Sequence, residues 1–267
     1  MPRPRPPYGS PPPHILAHRG LALHAPENTL AAFAAALEAG ADVIETDARG
    51  TADGVPVLLH DPLLLAEGAA AAVPIAGLRS EELAGLRLAG GHRVPTLAEA
   101  LERFPDTPFN IDVKSADVAA EVGRIVAAHR SSSRILLTSF SRARQRAAVR
   151  RAPGVSLSAS PVPLVLLCWL AAWGLWPLAR LFAGRICAVQ RPDAERALPR
   201  ITARFIHGCH RAGIEVHVWT VNDEQRMREL YALGVDAVVT DRADLAARVL
   251  GWRPTENGRR DGSKNPA

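Results

Sequence analysis

Cysteine is scarce in this chain: Cys168, Cys187 and Cys209 among 267 residues, with no C-x-x-C pair. An odd, scattered set of three excludes a disulfide framework and a thiolate zinc site, and it fits a reducing compartment. Aromatic residues are 5% of the chain, and lysine is nearly missing, with Lys114 and Lys264 the two exceptions to arginine. No G-x-G-x-x-G occurs, so the dinucleotide fingerprint of an open doubly wound sheet is absent. No internal repeat stands out. The first residues, MPRPRPPYGSPPPH, contain no apolar core of the kind a signal peptide needs.

Charge is present but badly placed for a nucleic-acid partner. The pI is near 9.7 and the net charge +5, yet the two ends account for +4 of it. The body then reads as nearly balanced, with no concentrated basic face, and nucleic acid is set aside.

The chain divides by composition into a proline-rich arm over residues 1–13, expected to be disordered, a body over 14–251, and a polar tail over 252–267 without a core face. Within the body, short apolar runs alternate with alanine-rich helical stretches. Strands are expected at Ile15–Ala17, Val43–Asp47, Phe109–Val113, Ile135–Thr138, Val155–Ser158, Ile186–Val189, Glu215–Trp219 and Ala237–Thr240. Eight strands separated mostly by helices predict an α/β protein, a (β/α)8 TIM-type barrel. The irregular stretch between His60 and Val94 reads as a small insertion after the second strand, with the next barrel helix deferred to Thr96–Arg103.

In such a barrel the chemistry collects at the C-terminal ends of the strands. Those ends carry His18 and Arg19, Glu45 and Asp47, His60, Asp112 and Lys114, and Trp219. A strand's period of two puts Glu45 and Asp47 on one side, and Asp112 and Lys114 on one side of theirs. Three carboxylates at one mouth would repel one another unless a cation joined them. An oxygen-only ligand set favours Mg²⁺ or Ca²⁺ over Zn²⁺. His18 and His60 suit acid–base work because imidazole titrates near neutrality. A guanidinium beside a metal, Arg19, suggests an anionic group such as phosphate. Lys114 gains weight from its rarity, since a compact ammonium and a rigid guanidinium fork are not interchangeable.

These residues lie in segments with a familiar order. HRG at 18–20, APENTLAAF at 25–33, GADVIETDARGTADGVPVLLHD at 40–61, VPTLAEAL at 94–101, FNIDVK at 109–114, VHVWTVND at 216–223 and GVDAVVTD at 234–241 resemble the glycerophosphodiester phosphodiesterase family. The resemblance implies a metal-dependent barrel enzyme that cleaves glycerophosphodiesters to glycerol 3-phosphate and an alcohol. It implies His18 and His60 as the acid–base pair, with Glu45, Asp47 and Asp112 as ligands of one divalent cation. Arg19 and Lys114 are then phosphate contacts, and Trp219 lines the substrate pocket. It further implies attack by the glycerol hydroxyl on phosphorus, giving a cyclic phosphate that water opens. Asp112 stands where many relatives carry Glu. The Pro-Leu-Leu-Leu-Ala-Glu that follows His60 and Asp61 replaces a more polar segment. Two alternatives are carried beside this reading: a lysophospholipase D acting on membrane-derived lysolipids, and a catalytically silent barrel that binds phospho-headgroups.

Other residues take plainer roles. Asn28 or Thr29 reads as a helix N-cap, with a contact holding the His18 loop as the alternative, and Asp241 likewise reads as an N-cap before the last helix. His217 shares its register with Glu215 and Trp219 and reads as packing inside the barrel. One segment resists this treatment. Residues 152–179 carry no charge, and within them Trp169, Trp173 and Trp176 fall at i, i+4 and i+7. A membrane span is rejected, because barrel strands lie on both sides of it. A buried fifth helix and an exposed apolar rim at the site remain open. The expectation carried forward is the rim, making peripheral membrane contact through residues 162–182 on a cytoplasmic protein.

Overall fold

The computed structural model describes residues 6–251. Eight parallel strands run β1 (His14–His18), β2 (Val43–Gly50), β3 (Phe109–Val113), β4 (Ile135–Thr138), β5 (Ser156–Ser158), β6 (Ile186–Pro192), β7 (Glu215–Trp219) and β8 (Ala237–Thr240). Each pairs with its sequence neighbour, and β1 pairs with both β2 and β8, which closes the barrel. Closure removes the free edges that an open sheet would have to protect.

The strands read as almost continuous apolar runs because both faces are covered. Phe109, Ile111 and Val113 of β3 face the helices, while Asn110 and Asp112 face the lumen, and all five residues are buried. Helices α1 (Leu30–Glu38), α2 (Leu97–Arg103), α3 (Ala119–Ala128), α4 (Arg142–Arg151), α5 (Pro161–Ala172), α6 (Trp176–Ala183), α7 (Ala203–Ala212), α8 (Glu224–Ala232) and α9 (Ala243–Val249) wrap the outside. Their starts are fixed locally: Thr29, Thr96, Ser141, Thr202 and Asp223 each accept a backbone N–H of the first turn. The N-cap at α1 is therefore Thr29, and Asn28 is free for another task.

Between β2 and α2 lies the expected insertion. A short strand, Pro56–Leu58, turns back antiparallel on β2, and a helix at Ser80–Gly85 follows a small two-stranded ribbon. Val57, Leu64, Ile75, Leu83 and Val94 form a satellite core beneath it. The turn back carries His60 to the barrel mouth, where Arg49 Nε donates to the His60 carbonyl at 2.6 Å.

The lumen has its own apolar cluster, with Leu16, Val43, Leu136, Cys187, Ala237 and Val239 around Tyr8. Of the arm expected to be disordered, residues 1–5 fall outside the described part. Tyr8, within the remainder, is 5% exposed, its ring 4.9 Å from His14 and 5.8 Å from His217. That end of the arm belongs to the core because an aromatic ring fills the lumen. His217 is fully buried beside Glu215 (3.2 Å) and Gln190 (3.3 Å), as its register suggested. The tail at 252–267 also lies outside the described residues.

The uncharged segment after β5 is neither one helix nor buried. It breaks between α5 and α6 at Gly174, whose φ of +76° suits glycine. The break separates the three tryptophans: Trp169 and Trp173 pair at 5.7 Å, whereas Trp176 starts α6 under the Arg211 guanidinium at 4.4 Å. The inner side of the pair packs on α7, closely enough that a Cβ on Gly208 would stand 2.3 Å from the Ala171 carbonyl oxygen. Among the described residues, no helix is long and apolar enough to cross a membrane.

Candidate active site

A cavity of about 260 Å³ opens at the C-terminal ends of the strands. His18, Arg19, Glu45, Asp47, His60, Asp112, Lys114 and Trp219, all eight residues singled out in the sequence, line it. Register brings them there. His18 pairs with Glu45 across β1 and β2, Glu45 with Asn110 and Asp47 with Asp112 across β2 and β3. The HRG turn after β1 is tight: Gly20 has φ +88°, and a Cβ there would stand 2.7 Å from the Ala32 backbone.

The carboxylates are buried and unequal. Asp47 is surrounded by cations and donors, with Lys114 Nζ at 3.1 Å from Oδ1, Arg19 Nε at 3.0 Å from Oδ2, and Asn28 Nδ2 donating to Oδ2 at 3.1 Å. Burial works against its charge, but Lys114 and Arg19 outweigh it and hold its pKa below the usual range. Lys114 Nζ also lies 2.6 Å from Asp112 Oδ2. Burial dominates at Asp112 and raises its pKa, and its Oδ1 is buried without a hydrogen-bond partner. Glu45 is pushed up to about 8, by burial first and then by Asp47.

Glu45, Asp47 and Asp112 meet at this one mouth together with Lys114. Among the described residues no group of three His, Cys, Asp or Glu side chains closes as a metal site. The Lys114 ammonium stands between Asp47 and Asp112 and supplies the positive charge that their proximity demands. The donor chemistry nevertheless fits a hard cation at Glu45 and Asp112. Both are oxygen donors held against their own charge by burial, and one Asp112 oxygen is unpartnered.

Each histidine is paired through Nδ1 with a carboxylate. His18 Nδ1 lies 2.6 Å from Asp241 Oδ1, and His60 Nδ1 lies 2.8 Å from Asp61 Oδ1. A carboxylate at Nδ1 accepts a hydrogen bond from the ring N–H there and leaves Nε2 for a reacting group. Burial lowers the pKa of His18, but the Asp241 hydrogen bond and the Glu45 charge prevail, and the net shift is upward.

Two contributors, Asp241 and Asn222, escaped the sequence reading, and a third, Asn28, takes its alternative role of holding the His18 loop. Asp241 is a partner of His18 rather than an N-cap, since Arg242 precedes α9. Asn222 steadies it, donating from Nδ2 to Asp241 Oδ2 at 2.6 Å while its Oδ1 accepts from Thr240 Oγ1 and the Asp241 N–H. Asn28, at φ +58°, ties β2 to the HRG turn by donating to Asp47, accepting from Thr46 Oγ1 at 2.7 Å, and giving its N–H to the Arg19 carbonyl. The polar residue types were visible, but their partners lie up to 223 positions away. Arg19, expected on phosphate, is shared with Glu27, to which Nη1 donates at 2.9 and 3.0 Å. The cavity's other wall is apolar: Phe140, Pro161 and Leu164 line it, Phe140 meeting Trp219 edge-on at 6.3 Å and standing 5.6 Å from Lys114 Nζ.

Strand-end acids and paired imidazoles around one cavity define a (β/α)8-barrel enzyme equipped for acid–base chemistry. Comparison with known proteins narrows this class. The model of the glycerophosphoryl diester phosphodiesterase family matches residues 18–245, and the chain belongs to that family of phosphoric diester hydrolases. The probable glycerophosphodiester phosphodiesterase 2 of Mycobacterium tuberculosis is 36% identical over 240 residues, covering 88% of this chain and 89% of that one. The crystal structure of glycerophosphodiester phosphodiesterase from Agrobacterium tumefaciens superposes with a TM-score of 0.71 at 27% identity, over 88% of this chain and 98% of that one. An Oleispira antarctica phosphodiesterase, solved in complex with sn-glycerol-3-phosphate, shares the fold at a TM-score of 0.73 and 24% identity, over 90% of this chain and 97% of that one.

Proposed function

We propose that this chain hydrolyses glycerophosphodiesters to glycerol 3-phosphate and an alcohol in a divalent-cation-dependent reaction, with His18 and His60 as its acid and base. The observation that carries the proposal is the presence of two carboxylate-paired histidines and a buried carboxylate–lysine cluster in the lining of one cavity. Glu45 and Asp112, with Asp47 beside them, would hold Mg²⁺ or Ca²⁺. When bound, that ion supplies Lewis acidity and neutralises phosphoryl charge.

The chain's own residues do the rest. Lys114 and Arg19 orient the phosphate, and Trp219 with Phe140 packs against the substrate carbon skeleton. His60 Nε2 accepts the proton of the glycerol hydroxyl as its oxygen attacks phosphorus. His18, whose pKa is shifted toward the protonated form, gives its proton to the departing alcohol oxygen as the P–O bond breaks. Water then opens the cyclic phosphate, with the two imidazoles exchanging roles. Three buried thiols, Cys168, Cys187 and Cys209, agree with a cytoplasmic setting.

A second reading, lysophospholipase D activity on lysolipids, is favoured by the apolar cavity wall of Phe140, Pro161 and Leu164. It goes with peripheral membrane contact through residues 162–182. Glycerol 3-phosphate release from glycerophosphocholine and glycerophosphoethanolamine, set against choline release from lysophosphatidylcholine, separates the readings. Turnover of the soluble diesters is expected. Inertness toward every diester with Mg²⁺ or Ca²⁺ present would leave only the headgroup-binding barrel.

A further inference from the structure

We infer that the α5–α6 hairpin and the arginines bordering it form a docking face for an anionic lipid bilayer, set against the cavity mouth. This deepens the peripheral-contact reading and rests on it, but it does not depend on the hydrolytic reading.

The first observation is an inverted pattern of side chains. A surface helix ordinarily buries its large apolar residues and shows polar ones to water. Here the buried positions are mostly small, Cys168, Ala171, Ala179 and Ala183, with Leu167 the larger exception. The large residues point outward: Val162 is 81% exposed, Leu181 73%, Trp173 67% and Phe182 59%. Nine of the thirteen exposed large apolar residues among those described lie in this one hairpin, which makes a continuous patch rather than scattered exposure. Helices of 12 and 8 residues are too short to span a bilayer, but their satisfied backbones can lie in its interface.

The second observation is charge. Between Glu121 and Asp193 the chain has no acidic residue and eleven arginines. Of these, Arg191 is buried, Arg134 is half-buried on backbone carbonyls and Arg124 pairs with Glu121, so the exposed remainder carries the observation. Arg180 and Arg185 are exposed on and just after α6. Arg204 is exposed at the start of α7 beside the Gly174 turn. Arg142, Arg146, Arg150 and Arg151 are exposed on α4, the preceding helix around the barrel. The first acids after the segment are occupied: Asp193 accepts from Arg226 at 2.7 and 2.9 Å, and Glu195 from the Ala197 N–H at 3.2 Å.

An apolar patch with an arginine border matches the interior and the phosphate surface of an anionic membrane together. A second copy of the chain fits less well, since mating two such faces brings their arginine borders together. Position gives the contact a use. Pro161 and Leu164 of α5 line the cavity, so the docked face begins at the opening through which a lipid-derived diester would enter.

The test is flotation of the full chain with phosphatidylcholine vesicles and with mixed phosphatidylcholine–phosphatidylglycerol vesicles, alongside glycerophosphocholine turnover and sedimentation equilibrium. Wild type should float with the mixed vesicles and weakly with the neutral ones. Trp173→Ser/Leu181→Ser/Phe182→Ser should lose binding at least about tenfold, because association scales with the apolar area inserted. Arg180→Gln/Arg185→Gln/Arg204→Gln should lose about a hundredfold on anionic vesicles only. Both variants should keep wild-type melting temperatures and turnover of the soluble diester. Absence of wild-type flotation, or equal flotation of wild type and both variants, would overturn the docking face and leave the hydrolytic reading intact. A wild-type dimer broken by the apolar variant would overturn it in favour of self-association. Flotation without turnover of any diester would leave the docking face and refute the hydrolase.

Discussion

His18 and Asp241, 223 residues apart in sequence, face each other at 2.6 Å because β1 and β8 are neighbours in the closed barrel. The carboxylate raises the affinity of the imidazole for its proton and fixes its ring, which would make Asp241 a positioning residue for the proposed general acid. Asp241→Asn should remove the charge and keep the shape. The alkaline limb of the kcat/KM profile should move down, since burial would then dominate at His18. Unchanged pH limbs would mean that Asp241 serves the fold alone.

Cation dependence is the next expectation. Chelation should abolish turnover, and Mg²⁺ or Ca²⁺ should restore it. Asp112→Ala should raise the cation concentration for half-maximal activity by at least about tenfold, with a smaller effect on KM for the diester. Full activity after exhaustive chelation would refute the carboxylates' assigned role.

Glu45 makes a pH prediction about stability. Its folded pKa of about 8 exceeds the unfolded carboxylate value, so the cation-free native state holds a proton that the unfolded chain has released. The resulting contribution is fully present below the unfolded pKa and disappears as pH rises through about 8. Wild type without cations should therefore lose a few kcal/mol relative to Glu45→Gln between pH 5 and 8.5, roughly the scale of such a shift. Urea denaturation at a series of pH values measures the difference. Parallel stability curves would show that Glu45 is ionised in the fold.

Tyr8 closes the opposite end of the lumen. Tyr8→Ala should cost about 3 kcal/mol by urea denaturation, the usual price of an aromatic cavity. Its effect on kcat should be small, because the ring lies away from the cavity. A surface-like loss below about 0.5 kcal/mol would contradict its place in the core.

The barrel was legible because its strands alternate with helices and end in polar residues, and all eight strands lie within a few residues of their expected positions. That eight strand-end residues would share one cavity was legible through period two and strand-end placement. What could not be read was pairwise. Thr29 took the cap that Asn28 shared as a candidate, and Asp241 found a ring on another strand. Lys114 settled between two acids, a matter of side-chain reach rather than spacing. The tryptophans lie on two helices because Gly174 ends the first, and the acid-free run of exposed arginines escaped notice because acids elsewhere in the chain balance the count.

The central claim, that the two imidazoles lining the cavity with the carboxylate cluster perform the hydrolysis, is tested most directly by steady-state release of glycerol 3-phosphate from glycerophosphocholine. His18→Ala and His60→Ala should each lower kcat by about 10²–10⁴-fold with KM little changed, the contribution of a positioned acid or base. Near-wild-type turnover by either variant would contradict the account.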